Sequence, residues 1–385
     1  MKARAYLDWN ASAPLLPAAR AAMLEAMEGA ANASSVHAEG RAARHLVEAA
    51  RAEVASLVNA RPEHVVFTSG ATEAAQMALS PDYRMGRSPL KMARVYVAAT
   101  DHPCILSGGR FSPDRVSVVG VDSDGVLDLA MLGTVLAGHD KAEGMALVAL
   151  HLANNETGVI QPVAEIGRIA REAGAVVVLD AVQAAGRIPL DISAGHVDFL
   201  ILSAHKIGGP KGAGALVAAS DLLMPAPLLS GGGQEKGHRG GTENVPAIAG
   251  FGAAARQALF NLGGMDEVRR RRDAIEADIL RLATDAVIYG RAAERLPNTS
   301  FFALPGLKAE TAQIAFDLAG VALSAGSACS SGRVGPSHVL EAMGHDGESG
   351  LRVSIGPATT DGDVELFRTA LVGIAGRRAA RKEAA

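Results

Sequence analysis

Cysteine is scarce in this chain: Cys104 and Cys329 are the two thiols in 385 residues. Two cysteines so far apart make neither a disulfide framework nor the paired spacings of a zinc module. An excess of positive charge is missing as well. Lys+Arg 37 stand against Asp+Glu 41, a net charge of −4, and no basic stripe offers a seat to a nucleic-acid backbone. Long apolar runs are absent, since Asp, His or Arg interrupts each one well short of the roughly 20 residues a membrane span needs. The opening stretch carries Asp8 and lacks the apolar core of a signal peptide. No Gly-X-Gly-X-X-Gly follows the first strand-like run, which argues against a nucleotide-dependent dehydrogenase. Internal repeats are also missing. Hydrophobic residues make up 49% and charged residues 20%, a composition that excludes wholesale disorder. What these absences leave is a cytoplasmic, reduced, globular protein, of two or three domains at roughly 150 residues each. It is expected to bind neither membrane nor nucleic acid.

What is present is an alternation. Short runs at residues 65–68, 95–98, 146–150, 176–179 and 199–202 are apolar throughout, as strands covered on both faces are. Helical patterns lie between them. Val163, Ile166, Ile169 and Ala170 share one face, and Gly174 is placed to cap that helix. The alternation predicts an α/β fold with a mostly parallel sheet and right-handed crossovers. At residues 231–241 the chain becomes a glycine-rich loop, the kind of long loop that usually carries function or moves. A long helical region is expected next, over residues 248–284, with the charge run 269–273 on a solvated face. Strands at 299–302 and 351–354 then mix with helices at 310–319 and 361–374, forming a smaller α+β domain. Residues 377–385 read as a frayed tail. The expected division is a large domain at 15–257 and a small one made of 1–14 and 258–385.

Lysine is a second scarce residue, with eight in the chain. Most lysines sit on solvated surfaces, but Lys206 follows the apolar run 199–202 through Ser203, Ala204 and His205. That places it at the carboxyl end of a buried strand, where open α/β sheets bind ligands. A lysine in such a pocket can lose its proton and form a Schiff base. Asp180 ends another buried run. It can cap the next helix, or serve the ring nitrogen of pyridoxal phosphate, which needs a carboxylate to stay protonated. Gln183 falls on the same side if a helical turn begins there. Ser69, Gly70, Ala71, Thr72 and Glu73 join a strand to a helix. They suit either a helix cap or a phosphate cradle, with small residues, a hydroxyl and free N–H groups. His102 follows a strand and is either structural or stacked on a planar cofactor. Cys329 lies among small residues, as in an exposed loop with a usable thiol, whereas Cys104, followed by Ile105 and Leu106, fits an inert buried site. Arg352 interrupts an apolar strand and is either a substrate-carboxylate clamp or half of a structural ion pair.

Together these segments resemble the cysteine desulfurases, pyridoxal-phosphate enzymes of the class V aminotransferase superfamily. The likeness runs nearly the whole length in one order: Tyr6-Leu7-Asp8, residues 67–73, 151–158 and 180–183, then Ser203-Ala204-His205-Lys206, 239–242 and Gly326-Ser327-Ala328-Cys329. The long small-residue loop around Cys329 is similar to the branch serving nitrogenase and housekeeping iron–sulfur assembly. Two departures from the family pattern are Ala33, where proline is usual, and Ala74-Ala75-Gln76. The resemblance implies fold type I of the pyridoxal 5'-phosphate enzymes, with a seven-stranded sheet sandwiched by helices. It implies that Lys206 carries the cofactor, Asp180 meets the pyridine nitrogen, Gln183 the ring hydroxyl, and His102 the ring face. Thr72, Ser203 and His205 would hold the phosphate beside Gly70 and Ala71, with Thr242 reaching in from the second subunit of a homodimer. Asn155 and Arg352 would bind the carboxylate of L-cysteine. Cys329 would take its sulfur as a persulfide, for delivery to an acceptor protein or iron–sulfur scaffold. No metal is expected. An aminotransferase or selenocysteine lyase would share the fold, and Cys329 is the residue that separates them.

Overall fold

The computed structural model describes residues 4–29, 31–326 and 336–383. The chain begins with β1 (Ala5–Tyr6), α1 (Pro17–Glu28) and α2 (Ala38–Leu57). Then come β2 (Val65–Thr68), α3 (Ala71–Ala78), β3 (Asp82–Met85), β4 (Ser88–Ala98), the one-turn α4 (Pro103–Leu106), β5 (Val116–Val119) and α5 (Leu129–Ala137). β6 (Met145–His151), α6 (Val163–Ala173), β7 (Val176–Asp180), β8 (Phe199–Ser203), β9 (Gly214–Ala218) and β10 (Leu223–Pro225) follow. After α7 (Val245–Asn261) and α8 (Met265–Leu282) come β11 (Val287–Ile288), β12 (Thr299–Ala303), α9 (Ala309–Leu318), β13 (Val321–Ala322) and β14 (Ser324–Ala325). The last elements are α10 (His338–Ala342), β15 (Leu351–Ser354) and α11 (Asp361–Glu383).

The large sheet runs β10-β3-β4-β6-β7-β8-β9-β2, with β5 also on β4. β5, β4, β6, β7 and β8 pair in parallel. β9 runs the other way between β8 and β2, so β2 points with the parallel set. Those seven strands make the mostly parallel sheet expected for the fold. The antiparallel strands β3 and β10 extend it along the early half of β4. The unbroken apolar runs have a simple cause. In β7, Val177 and Leu179 enter the core on one face, while Val176 and Val178 enter the core on the other. β8 alternates likewise, with Leu200 and Leu202 against Phe199 and Ile201. Each such side chain, fully buried, contributes about 1.5–3 kcal/mol. Helices α2 and α7 supply much of one cover, through Val47, Val54, Ile248 and Phe251. Helix α6 ends as its sequence requires, with Gly174 left-handed at φ 74°.

The second sheet is antiparallel, β11-β12-β15-β14. It shares a separate core with α8, α9 and α11, through Ile275, Ile279, Phe302, Phe316, Phe367 and Leu371. The start of the chain joins this core: β1 pairs with β13, and Ala5 and Leu7 are fully buried there.

Three expectations need correction. The long helical region is two helices, broken at Leu262-Gly263-Gly264, where glycine makes helix continuation costly. The charge run is only partly solvated. Arg272 is buried, bonded to Asp273 at 2.6 Å and to the Leu296 and Thr299 carbonyls. The tail stays helical through Glu383, anchored by Arg378, which pairs with Asp285 and donates to the Pro305 carbonyl at 2.7 Å. Among the described residues no helix is long and apolar enough to cross a membrane.

Candidate active site

The strands that run with the parallel set deliver their carboxyl ends to one edge. β7 ends in Asp180, which pairs with His151 of β6 and Ile201 of β8. β8 ends in Ser203, and one 3-10 turn carries Ala204, His205 and Lys206. β4 leads to Asp101 and His102, and β2 to Ser69 and Gly70. A cavity of about 510 Å³ opens there, lined by Gly70, Ala71, Thr72, His102, Asn155, Asp180, Gln183, Ser203, His205 and Lys206, among others. Ligands of open α/β sheets bind at this edge.

The Lys206 ammonium is held from below. Its Nζ donates to the Asn10 carbonyl at 2.6 Å and the Ala11 carbonyl at 3.0 Å. Asn10 is itself buried between the two sheets, tied to Thr299, Asn298 and Ser354. Asp180 is buried and receives the Val182 N–H at 2.9 Å. Burial pushes its carboxyl up to about 6, Asp101 adds to the rise, and His151 and Lys206 oppose it. His102 Nδ1 accepts the Cys104 N–H at 3.2 Å and lies 3.0 Å from the Cys104 thiol. Burial, with Lys206 and His338 nearby, pushes its imidazole below the ordinary value. The ring is therefore neutral at pH 7 and carries its proton on Nε2. Burial pushes the Cys104 thiol up, which keeps it protonated at pH 7, but the residue is half-buried rather than buried and lines the cavity.

A buried relay stands behind Asp180. Asp101 accepts His151 Nδ1 at 2.6 Å and also the Ala98 and His151 backbone N–H groups. Gln161 accepts the Leu127 N–H and donates to the Gly125 carbonyl, which fixes its amide. Its Nε2 then donates to His151 Nε2 at 3.2 Å, so the His151 proton sits on Nδ1.

The opposite end of the cavity suits an anion. Gly70 precedes α3, and no side chain caps that helix. A Cβ on Gly70 would meet no protein atom within 4 Å, so it would stand in the open cavity that Gly70 lines. Gly214 of β9 has no room for a side chain, since a Cβ there would lie 2.6 Å from the Gly70 carbonyl carbon. Thr72, Ser203 and His205 line the same cavity. Burial, then Lys206 and Lys211, push the His205 imidazole down to about 4. Glu73 pins this corner. Burial works against its ionisation, but Arg239 at 3.0 Å and the Ser69 N–H at 2.8 Å outweigh it and hold the carboxyl below its usual range. An amine, a buried acid, a neutral imidazole and an anion cradle in one cavity are the donor set pyridoxal phosphate needs, and the residues fit it.

The family model for class-V aminotransferases matches residues 5–367. A cysteine desulfurase from Frankia sp. is 42% identical over 384 residues, 95% of this chain and 89% of that protein. One from Gluconacetobacter diazotrophicus is 37% identical over 381 residues, 96% and 92% of the two chains. The solved NifS-like protein from Rickettsia africae superposes with a TM-score of 0.86 at 32% identity, covering 96% of this chain and 99% of that one. The chain belongs to the class-V aminotransferases, among the cysteine desulfurases.

Two of the expected site residues of this desulfurase lie apart from the cavity lining. Arg352 pairs with Asp8 at 2.8 Å and donates to the Asn155 carbonyl at 3.0 Å, so the ion pair foreseen as one alternative exists. It also brings Arg352 to Asn155. Thr242 is exposed and lines a different, smaller cavity with Arg239 and Glu235. Cys329 lies outside the described residues. The chain on either side is anchored: Gly326 N–H donates to the Gly350 carbonyl at 2.8 Å, and the Ser337 hydroxyl to buried Glu156 at 2.6 Å. Sequence reasoning missed Asn10, which acts through its backbone carbonyl and so leaves no side-chain signal. It also missed the Asp101–His151–Gln161 relay, whose members stand far apart in the chain.

Proposed function

We propose that this chain uses pyridoxal 5'-phosphate to remove sulfur from L-cysteine, releasing L-alanine and leaving a persulfide on Cys329. The observation that carries the reading is one cavity lined by both the Lys206 amine and the Asp180 carboxylate, at the carboxyl ends of neighbouring strands. When bound, the cofactor supplies an aldehyde that condenses with amino groups and a protonated ring that accepts the electron pair of a broken Cα–H bond. Lys206 would hold the cofactor, and its amine would take the Cα proton of the substrate. Asp180 keeps a proton on the ring nitrogen. Gln183 would serve the ring oxygen, His102 the ring, and Thr72, Ser203 and His205, with Gly70 and Ala71, would hold the phosphate. Asn155 and Arg352 orient the substrate carboxylate. The Cys329 thiolate attacks the substrate sulfur. An S–S bond forms, the C–S bond breaks with its electrons staying on the carbon side, a proton is added to that carbon, and return of the Cα proton taken by Lys206 completes alanine.

The persulfide then passes to an acceptor protein, with an iron–sulfur scaffold as the partner the family suggests. Thr242, exposed and away from its own chain's cavity, supports a homodimer in which it serves the cavity of a second copy. Residues 15–257 form the large domain, and residues 1–14 with 258–385 the small one. The two separate cores support that division, and the scarcity of cysteine supports a cytoplasmic setting. The test is Cys329→Ser. It keeps a yellow, cofactor-bound protein and abolishes sulfide release from L-cysteine in reductant. Unchanged release overturns the persulfide route.

A further inference from the structure

Arg187 is a buried cation with an unusual set of partners. It is 7% exposed, and among the described residues no carboxylate pairs with it. Its Nη1 donates instead to the Gln183 carbonyl and, at 2.8 Å, to Gln183 Oε1. Burial, helped by Arg352, pushes its guanidinium down to about 9, so it is still charged at pH 7. A buried charge without a counter-charge is expensive, and such costs gather at functional sites.

The guanidinium has donors only, so the amide atom facing it must be oxygen. That settles the orientation of Gln183. Its Nε2 points the other way and donates to the Asn10 carbonyl at 3.1 Å, the same oxygen that holds Lys206 Nζ at 2.6 Å. Gln183 lines the large cavity. Arg187 does not; it lines a separate cavity of about 80 Å³ behind Lys206. We propose that Arg187 is a positioning residue that locks the Gln183 amide so that an N–H, never the carbonyl, is presented to the phenolic oxygen of the cofactor. The inference rests on the pyridoxal-phosphate reading above. Without Arg187 one of the two contacts that fix the amide is gone, only the Asn10 carbonyl still resists a turn, and the turned amide becomes populated. A carbonyl facing the phenolic oxygen raises its basicity, and the protonated, visible-absorbing form of the Lys206-linked cofactor then survives to higher pH.

The test is a pH titration of the visible band of the holoenzyme, with Gln183→Leu, Arg187→Met, Arg187→Lys and the double variant Gln183→Leu/Arg187→Met. Arg187→Met is expected to raise the midpoint by about one unit, a tenfold change in proton affinity. The same change adds little in the Gln183→Leu background, because the two residues act as one unit. Arg187→Lys keeps a donor-only group and a midpoint close to wild type. An unmoved midpoint in Arg187→Met overturns the role, and so does an equal shift with and without Gln183, which would mean that the guanidinium acts through its own field. Should Arg187→Met yield no folded holoenzyme, Arg187→Lys decides: a midpoint displaced to the Gln183→Leu value overturns the role. A wild-type chain with no visible band overturns the cofactor reading and this role with it, whereas a normal band with an unmoved midpoint overturns this role alone.

Discussion

Two buried carboxylates mark two regions beside the large sheet, and they are built in opposite ways. Glu235 is closed on itself: both of its oxygens meet Arg51, at 2.7 and 2.8 Å, and one also takes the Phe67 N–H. Arg51 also donates to the Val65 carbonyl and, through Nε, to the exposed Glu48 at 3.2 Å, and it lies over the Phe67 ring. This knot straps the glycine-rich loop to β2, and it holds Glu235 and Lys236 at left-handed φ values of 45° and 55°. Asp180 is as deeply buried, yet among the described residues no cation pairs with it. Its partner is one backbone N–H, and burial leaves its carboxyl high. A charge that finds its full complement inside the chain serves the fold. A charge left short of one, facing a cavity beside a lysine, is set for a ligand that brings the missing cation.

The comparison can be pressed at three points. The largest effect is expected on the open side. Lys206→Ala should lower sulfide release from L-cysteine by about 10³-fold or more, since the acceptor of the Cα proton is gone, with the unfolding midpoint little changed. Ample residual turnover would break the assignment. On the closed side the effect is on stability. Glu235→Ala leaves the buried Arg51 with only the exposed Glu48 as a counter-charge and should cost about 3 kcal/mol in denaturant unfolding. A variant as stable as wild type would show that the knot is not closed. The third point depends on pH. The folded carboxyl of Asp180 titrates near 6, above the roughly 3.9 of an unfolded aspartate. The folded chain therefore binds more protons in that window, and the cofactor-free protein loses stability as pH rises through it. Asp180→Asn removes the loss, by up to about 3 kcal/mol at pH 8 and by only about 0.5 kcal/mol at pH 4. Thermal unfolding of the cofactor-free chains at both pH values reads this, and parallel profiles would contradict it.

Much of this was legible in the sequence, and the limits have physical causes. The apolar runs at 65–68, 176–179 and 199–202 were readable because both faces of those strands are covered. β9, Gly214 to Ala218, was not foreseen: its glycine is required by the close approach of Gly70, a contact between distant segments. The helical tail was hidden because the contacts of Arg378 are with Asp285 and Pro305, on a separate loop. Among site residues, Asp180 and Lys206 stood out because a charge at the end of an apolar strand breaks a local rule. Asn10 and Arg187 broke none. One works through its backbone, and the other through a glutamine four positions earlier in the chain.

The central claim is a covalent bond between one amine and a pyridoxal aldehyde. The most direct measurement is the absorbance spectrum of the purified chain given pyridoxal phosphate, before and after borohydride, with the modified residue located by mass spectrometry. The account predicts a visible band that borohydride bleaches and a reduced adduct on Lys206. A colourless protein, or an adduct on another lysine with Lys206 unmodified, would contradict it.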